Sequence, residues 1–274
     1  MALSLGIGES KMHWAVQTNI FNERQYDSFL EALNRLGVSY SEHKVVPFIG
    51  ELEPALDIPH KNVICVGSYS MRHIAKRMEW NPGVFDILDK DFLVQKNHWG
   101  SWLLNYSAVV DEFKNIKFPQ NEMFLRPTTD SKAFSGKIFR KDEFEEWKTG
   151  ICEGDYANGI SLRPDTLVQM CYPITIYSEY RFWIVKNQII TYSLYKRGDR
   201  VFYSPEVDDR FIEFVKERIA EWSPHETFVI DVADTEEGIK IVEPNTLNAA
   251  GFYAGNMQKL VFALHSAYDQ GDRL

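Results

Sequence analysis

Phe228-Val-Ile-Asp231-Val232 and, beyond a turn rich in Asp, Glu and Gly, Ile239-Lys-Ile-Val-Glu243-Pro-Asn245 decide how this chain reads. Both are apolar runs of strand length, so together they predict a β-hairpin with acids at inward positions. Glu243 and Asn245 stand two apart and leave one face of an extended chain, where Asp231 meets them from the neighbouring strand. Hard cations such as Mg²⁺ take oxygen ligands, commonly one or two carboxylates together with phosphate oxygens. The plainer alternative is a pair of ordinary strand-end acids. Apolar flanks favour ligation, because a buried acid needs a partner.

Two further clusters lie upstream. Met123-Phe-Leu-Arg126-Pro, a Ser/Thr-rich loop holding Lys132, and Ser135-Gly136-Lys137 read as strand, polar loop, strand. Cations and backbone N–H groups in such a loop can hold phosphate oxygens, while a solvated hairpin turn is the alternative. Ser178-Glu-Tyr-Arg181-Phe-Trp-Ile-Val185 sets Arg181 among aromatic and β-branched residues. It faces either a ligand or a buried acid. Leu167-Val-Gln169-Met170 precedes it, an apolar strand able to lie against a base.

The first third reads strand, helix, strand, strand, helix. Tyr26, Phe29, Leu30, Leu33 and Leu36 recur at helical spacing before Gly37, a natural C-cap. Asn62 to Val66 is a short apolar run typical of a buried parallel strand, and a helix follows from Ser70 to Met78. Trp80-Asn-Pro-Gly83 is a turn signal and a candidate boundary. Downstream, short strands dominate. They include a tight hairpin turning at Lys186-Asn187 and are interrupted by one helix bearing Phe211, Val215, Ile219 and Trp222 and another over Tyr253 to Tyr268. That pattern is α+β.

The 274 residues are 45% hydrophobic and 25% charged, with 14% aromatics, so a large ring-rich core of roughly two domains is expected. A net charge of −9 argues against a general affinity for nucleic acid or membrane surfaces. Cys65, Cys152 and Cys171 fit neither a disulfide framework nor a zinc site, and the start lacks a basic, apolar leader, so a cytoplasmic protein is expected. No run is long and apolar enough to span a membrane. P-loop, dinucleotide (Gly6-Ile-Gly8 lacks its third glycine), zinc-protease and serine-hydrolase motifs are absent. The histidines at 13, 43, 60, 73, 98, 225 and 265 show no ligand spacing.

In this order, a basic two-strand hairpin, a Val-Gln strand, Glu-x-Arg-Phe, then Asp followed by Glu-x-Asn resembles the ATP-grasp fold. The chain is similar to a divergent clade of that superfamily carrying an Arg/Lys pair. The clade includes the translation-initiation assembly factor of eukaryotic cell-division control and small bacterial and phage members. Phage-type members are nearest, through Arg126-Pro with Lys132-Ala-Phe-Ser-Gly136, Tyr180-Arg181-Phe182, and Glu243-Pro-Asn245 with Asn248-Ala-Ala-Gly-Phe-Tyr253. Trp80-Asn-Pro-Gly-Val-Phe85 and Leu103-Leu-Asn105 extend the likeness upstream.

The resemblance implies an N-terminal α/β, pre-ATP-grasp-like domain over residues 1–85, then a two-subdomain ATP-grasp fold over 86–274, divided near 170. ATP would lie between the α+β subdomains. By the same likeness, Arg126 and Lys132 hold its phosphates, Gln169 and Met170 lie at the adenine hinge, and Arg181 faces the γ-phosphate or the reacting acyl group. These three cations are the expected catalytic residues, and Asp231, Glu243 and Asn245 the expected Mg²⁺ ligands. Ordinary members use two lysines on earlier strands, where this chain has an arginine and a displaced lysine.

The implied activity is an ATP- and Mg²⁺-dependent ligase. It would activate a carboxylate as an acyl phosphate for attack by an amine or other nucleophile on a peptide, protein or metabolite. No nucleophilic side chain is required, which agrees with the lack of a Ser/His or Cys/His pair. One alternative acceptor is an RNA end, for which Lys186, Lys196, Arg197 and Arg200 would form a basic rim. A non-catalytic ATP-binding assembly factor is the other.

Overall fold

The computed structural model describes residues 12–20, 25–46, 50–68, 70–86, 91–129, 133–154 and 161–269. The chain divides into two compact units. Unit 1 comprises Met1–Leu88, Ser178–Val232 and Glu243–Leu274, and unit 2 comprises Asp89–Tyr177 and Ala233–Val242.

Unit 1 begins with β1 (His13–Gln17), α1 (Tyr26–Leu36), β2 (Ser39–Val46), β3 (Glu51–Glu53), β4 (Asn62–Val66), α2 (Met71–Met78) and β5 (Asn81–Gly83). The sheet order is β3-β2-β1-β4-β5, parallel except where β3 turns back on β2. β1 is buried along its whole length because helices cover both faces. Trp14 and Val16 join Phe29 and Leu33 of α1 on one side, and Ala15 joins Met71 and Ile74 of α2 on the other. Gly37 ends α1 in the left-handed region (φ 65°), a conformation that favours glycine. Trp80–Gly83, expected as a turn, instead carries the short strand β5 alongside β4.

Unit 2 holds α3 (Phe92–Trp99), β6 (Val109–Glu112), β7 (Glu122–Pro127), β8 (Lys137–Arg140), α4 (Lys141–Glu153) and β9 (Leu167–Cys171). Its antiparallel sheet runs β6-β9-β7-β8. Met123, Leu125, Val168 and Met170 point to one face, where Phe144 and Ile151 of α4 cover them with Phe113, Phe118 and Phe139. The sequence pattern does not announce α3 and α4. In α4 the apolar positions Phe144, Trp147 and Ile151 form a narrow stripe among charges, so its helical period is faint.

The third sheet has the order β12-β11-β10-β13-β14. Its strands are β10 (Ile176–Val185), β11 (Gln188–Arg197), β12 (Arg200–Ser204), β13 (Phe228–Thr235) and β14 (Gly238–Asn245). α5 (Asp209–Glu221) lies between β12 and β13 in sequence, and α6 (Met257–Tyr268) follows β14. Lys186 and Asn187 turn the β10–β11 hairpin with φ of 50° and 58°, the left-handed pair that a two-residue turn of this kind needs. The turn between β13 and β14 is only Glu236–Glu237, shorter than the acidic composition suggests. Asp234 and Thr235 are strand residues, and the Thr235 hydroxyl tightens the corner by donating to the Gly238 carbonyl (2.7 Å). Within unit 1, Trp183, Val185, Val229 and the α6 residues Leu260, Val261 and Leu264 share one core with β1 and α1.

Candidate functional site

Arg181 on β10, Asp231 on β13, and Glu243 and Asn245 on β14 lie on three adjacent strands of unit 1. Arg181 grips Asp231 bidentately, Nε and one terminal nitrogen each donating to a carboxylate oxygen at 2.8 Å. Both side chains are buried, at 8% and 3% exposure. The reading that Arg181 faces a buried acid is therefore met. Its other terminal nitrogen reaches the Gly251 carbonyl (3.4 Å), and its guanidinium lies over the rings of Tyr253 (4.6 Å) and Tyr195 (5.6 Å). Burial opposes the Arg181 charge, but the Asp231 carboxylate outweighs it and raises the guanidinium pKa further. Burial pushes the Asp231 carboxyl up, against the pull of Arg181.

Asn245 bridges the two acids. Its Nδ2 donates to Glu243 (3.0 Å) and stands 3.5 Å from Asp231. A polar hydrogen donor thus occupies the space between two carboxylates, the position a cation would take. Rotating the amide by half a turn puts its oxygen there instead. Among the described residues no three His, Cys, Asp or Glu side chains form a metal-holding group. Two carboxylates and an amide oxygen are nevertheless a donor set suited to Mg²⁺ that keeps positions for phosphate oxygens or water.

The sequence reading missed the residues that hold Arg181 in place. Glu179, 9% exposed, accepts from the Tyr195 hydroxyl (2.8 Å) and from Lys196 (2.7 Å). Tyr195 stacks on Tyr253 (4.8 Å), which adopts φ 47°. Burial pushes the Tyr195 phenol far above its ordinary range, so it stays a neutral donor. Asn248 binds the Phe85 N–H (3.0 Å) and the Cys65 carbonyl, while the Thr246 hydroxyl donates to the Phe85 carbonyl (2.6 Å). The two motif segments at Phe85 and Asn248 are thus tied together, fixing the loop that carries Gly251. The Glu-x-Arg spacing was the available signal for Glu179.

In unit 2, Arg126 and Gln169 are cross-strand partners on β7 and β9, so they share one sheet face. Met170 points to the opposite face and is core. Gln169 is 2% exposed, and its Oε1 has no hydrogen-bond partner among the described residues. A Cβ at Gly136 would stand 2.9 Å from the Arg126 Cβ and 3.0 Å from Phe124, so the glycine lets the second strand pass close to Arg126. Lys132 lies outside the described residues. A polar cleft of about 830 Å³ beside Glu122, Arg140 and Asp142 contains none of the expected site residues.

The four cations of the supposed basic rim do not form one patch. Lys186 sits at the turn end of the β10–β11 hairpin, paired with Glu226, whereas Arg197 and Arg200 lie at the far end of β11. Lys196 is bound to Glu179. No helix among the described residues is long and apolar enough to cross a membrane.

Residues 65–264 match a family model for an ATP-grasp domain, family 3 of its clade. No curated protein matches the chain significantly. Among solved structures, the chain is similar to a RimK-domain ATP-grasp protein from Sphaerobacter thermophilus (13% identity, TM-score 0.59, covering 92% of this chain and 99% of that one). It is also similar to D-alanine–D-alanine ligase from Bacillus anthracis in complex with ATP (13%, 0.55, 93% and 97%). A third likeness is to the ATP-grasp ligase PsnB complexed with a phosphomimetic variant of its minimal precursor, Mg and ADP (10%, 0.56, 96% and 99%).

Proposed function

We propose, from the premise that this chain belongs to that third family of its ATP-grasp clade, that it is an ATP- and Mg²⁺-dependent ligase joining a carboxylate to an amine or other nucleophile. The general ligase chemistry of that fold accounts for what the site contains and what it lacks. A carboxylate oxygen attacks the γ-phosphorus, ADP leaves, and the acyl phosphate is opened by the nucleophile with loss of phosphate. The protein's work is positioning and charge neutralisation, so no nucleophilic side chain is needed.

The observation that carries the reading is the convergence of Asp231, Glu243 and Asn245 beside a buried arginine. Those three would hold Mg²⁺, which supplies charge neutralisation on the phosphate oxygens. Arg181, fixed by Asp231 and the two tyrosines, presents its charge to the transferring phosphoryl or acyl group. In unit 2, Arg126 and Lys132 would hold phosphates. The unpaired Gln169 oxygen would accept from the amino group of adenine, and the strand backbone at Met170 would line the base. The acceptor is a peptide, a protein or a small metabolite.

Calorimetric titration with MgATP tests this. The wild type is expected to bind, and Glu243→Ala to bind at least tenfold more weakly, about 1.4 kcal/mol. Absence of binding to the wild type would overturn the nucleotide reading and leave the acids as structural groups.

A further inference from the structure

We infer that the β12 edge of unit 1 is the docking strand for the acceptor, and that the acceptor is an extended peptide bearing a carboxylate. This rests on the ligase reading above and narrows it from peptide, protein or metabolite to a peptide chain. β12 ends the sheet order, so one side of its backbone has no strand neighbour among the described residues. Three consecutive side chains on it are exposed, Val201 by 68%, Phe202 by 46% and Tyr203 by 36%. Edge strands are ordinarily blunted by charge, proline or a bulge, because an open apolar edge recruits another strand. Here the edge is apolar along its centre.

The chemistry of such an edge selects its occupant. A row of backbone N–H and C=O groups is satisfied by another extended backbone, and neither a nucleic acid nor a compact metabolite can match that spacing. Charge adds a second requirement. Arg197 and Arg200 are cross-strand partners at the hairpin end, an arrangement that repels. Among the described residues neither has an ion-pair partner, Asp199 of the intervening turn included, and Arg197 stacks on Phe202 instead (4.7 Å). A carboxylate on the incoming chain relieves that pair. The other end of the strand leads to the reaction, since Tyr203 packs on Tyr253 (5.1 Å) and Tyr253 lies over Arg181. A peptide paired with β12 is therefore anchored at the arginines and runs toward the site.

The test uses the full chain, a pool of random hexapeptides ending in Glu, and the exposed-site variant Val201→Lys. Amide exchange at residues 200–204 is followed first without nucleotide. The pool is expected to slow exchange about tenfold in the wild type, but not in Val201→Lys, and a pool N-methylated at alternate nitrogens has no effect. No slowing, or equal slowing by the N-methylated pool, overturns the proposal. Protection by oligouridylate in place of peptide overturns it in favour of RNA. A dimer in sedimentation that Val201→Lys dissociates overturns it in favour of a second copy. With MgATP present, the pool should raise ADP release several-fold. Edge protection without MgATP binding upholds the docking strand and removes the ligase reading, and MgATP binding without edge protection does the reverse.

Discussion

Arg181 and Asp231 form a charged pair with almost no access to water, and such pairs are costly to break from one side. Arg181→Ala leaves a buried carboxylate without its cation and is expected to lose about 3–5 kcal/mol in urea unfolding. The double variant Arg181→Met with Asp231→Leu removes both charges at similar volume and should recover most of that stability while still failing to bind MgATP productively. If the double variant turned over ATP normally, the pair would be structural only. Neither partner is conspicuous alone in the linear sequence. The Glu-x-Arg and Asp…Glu-x-Asn spacings made each residue a candidate, but their union depends on β10 lying next to β13.

At the scale of elements, β7 and β8 are tuned around Arg126. Gly136→Ala forces the Arg126 stem and Phe124 aside and is expected to weaken MgATP about fivefold, near 1 kcal/mol, with little change in folding. β1 and β2 carry a different device. The Ser39 hydroxyl donates to His13 Nδ1 (2.8 Å), His13 Nε2–H to Ser41 (2.7 Å), Ser41 to His43 Nε2 (2.6 Å), and His43 Nδ1–H to the Pro54 carbonyl (2.6 Å). These directions follow from the last acceptor, since a carbonyl can only receive. Burial, helped by His43 and His60, lowers the His13 pKa from 6.5 to about 4. Between those values the unfolded chain takes a proton that the folded chain refuses. This contribution to stability is complete above pH 6.5 and is lost as the pH falls toward 4. The urea midpoint should drop on acidification through that window, and His13→Gln should flatten the drop.

For the whole molecule, the N-terminal sheet is not an appendage. Met12, Trp14, Val16 and Phe29 bury the same surface as Trp183, Val229 and α6. A fragment lacking residues 1–88 should therefore lose cooperative thermal unfolding and bind a hydrophobic dye. Thiol reactivity gives a second check. Burial pushes Cys65 and Cys171 up to about 12, while Cys152 is exposed. A disulfide reagent should titrate one thiol quickly in the native protein and three after denaturation.

The sequence by itself determined the elements with strong period, such as α1 with its glycine stop, the buried strand β4, the Lys186-Asn187 hairpin and the acid-bearing pair β13 and β14. It also determined the order of motifs that signals the fold, because apolar spacing and turn chemistry are local properties. It left β5, β6, β12, α3 and α4 unread, since three- to five-residue strands and a thin apolar stripe carry little period. Only the tertiary structure decided what meets what. It paired Arg181 with Asp231, tied Asn248 to Phe85, buried Glu179 beneath Tyr195, separated Lys186 from Arg197, and left β12 at the edge. Sheet order sets each of these, and a strand's place at the centre or the edge is a property of its neighbours rather than of its own residues.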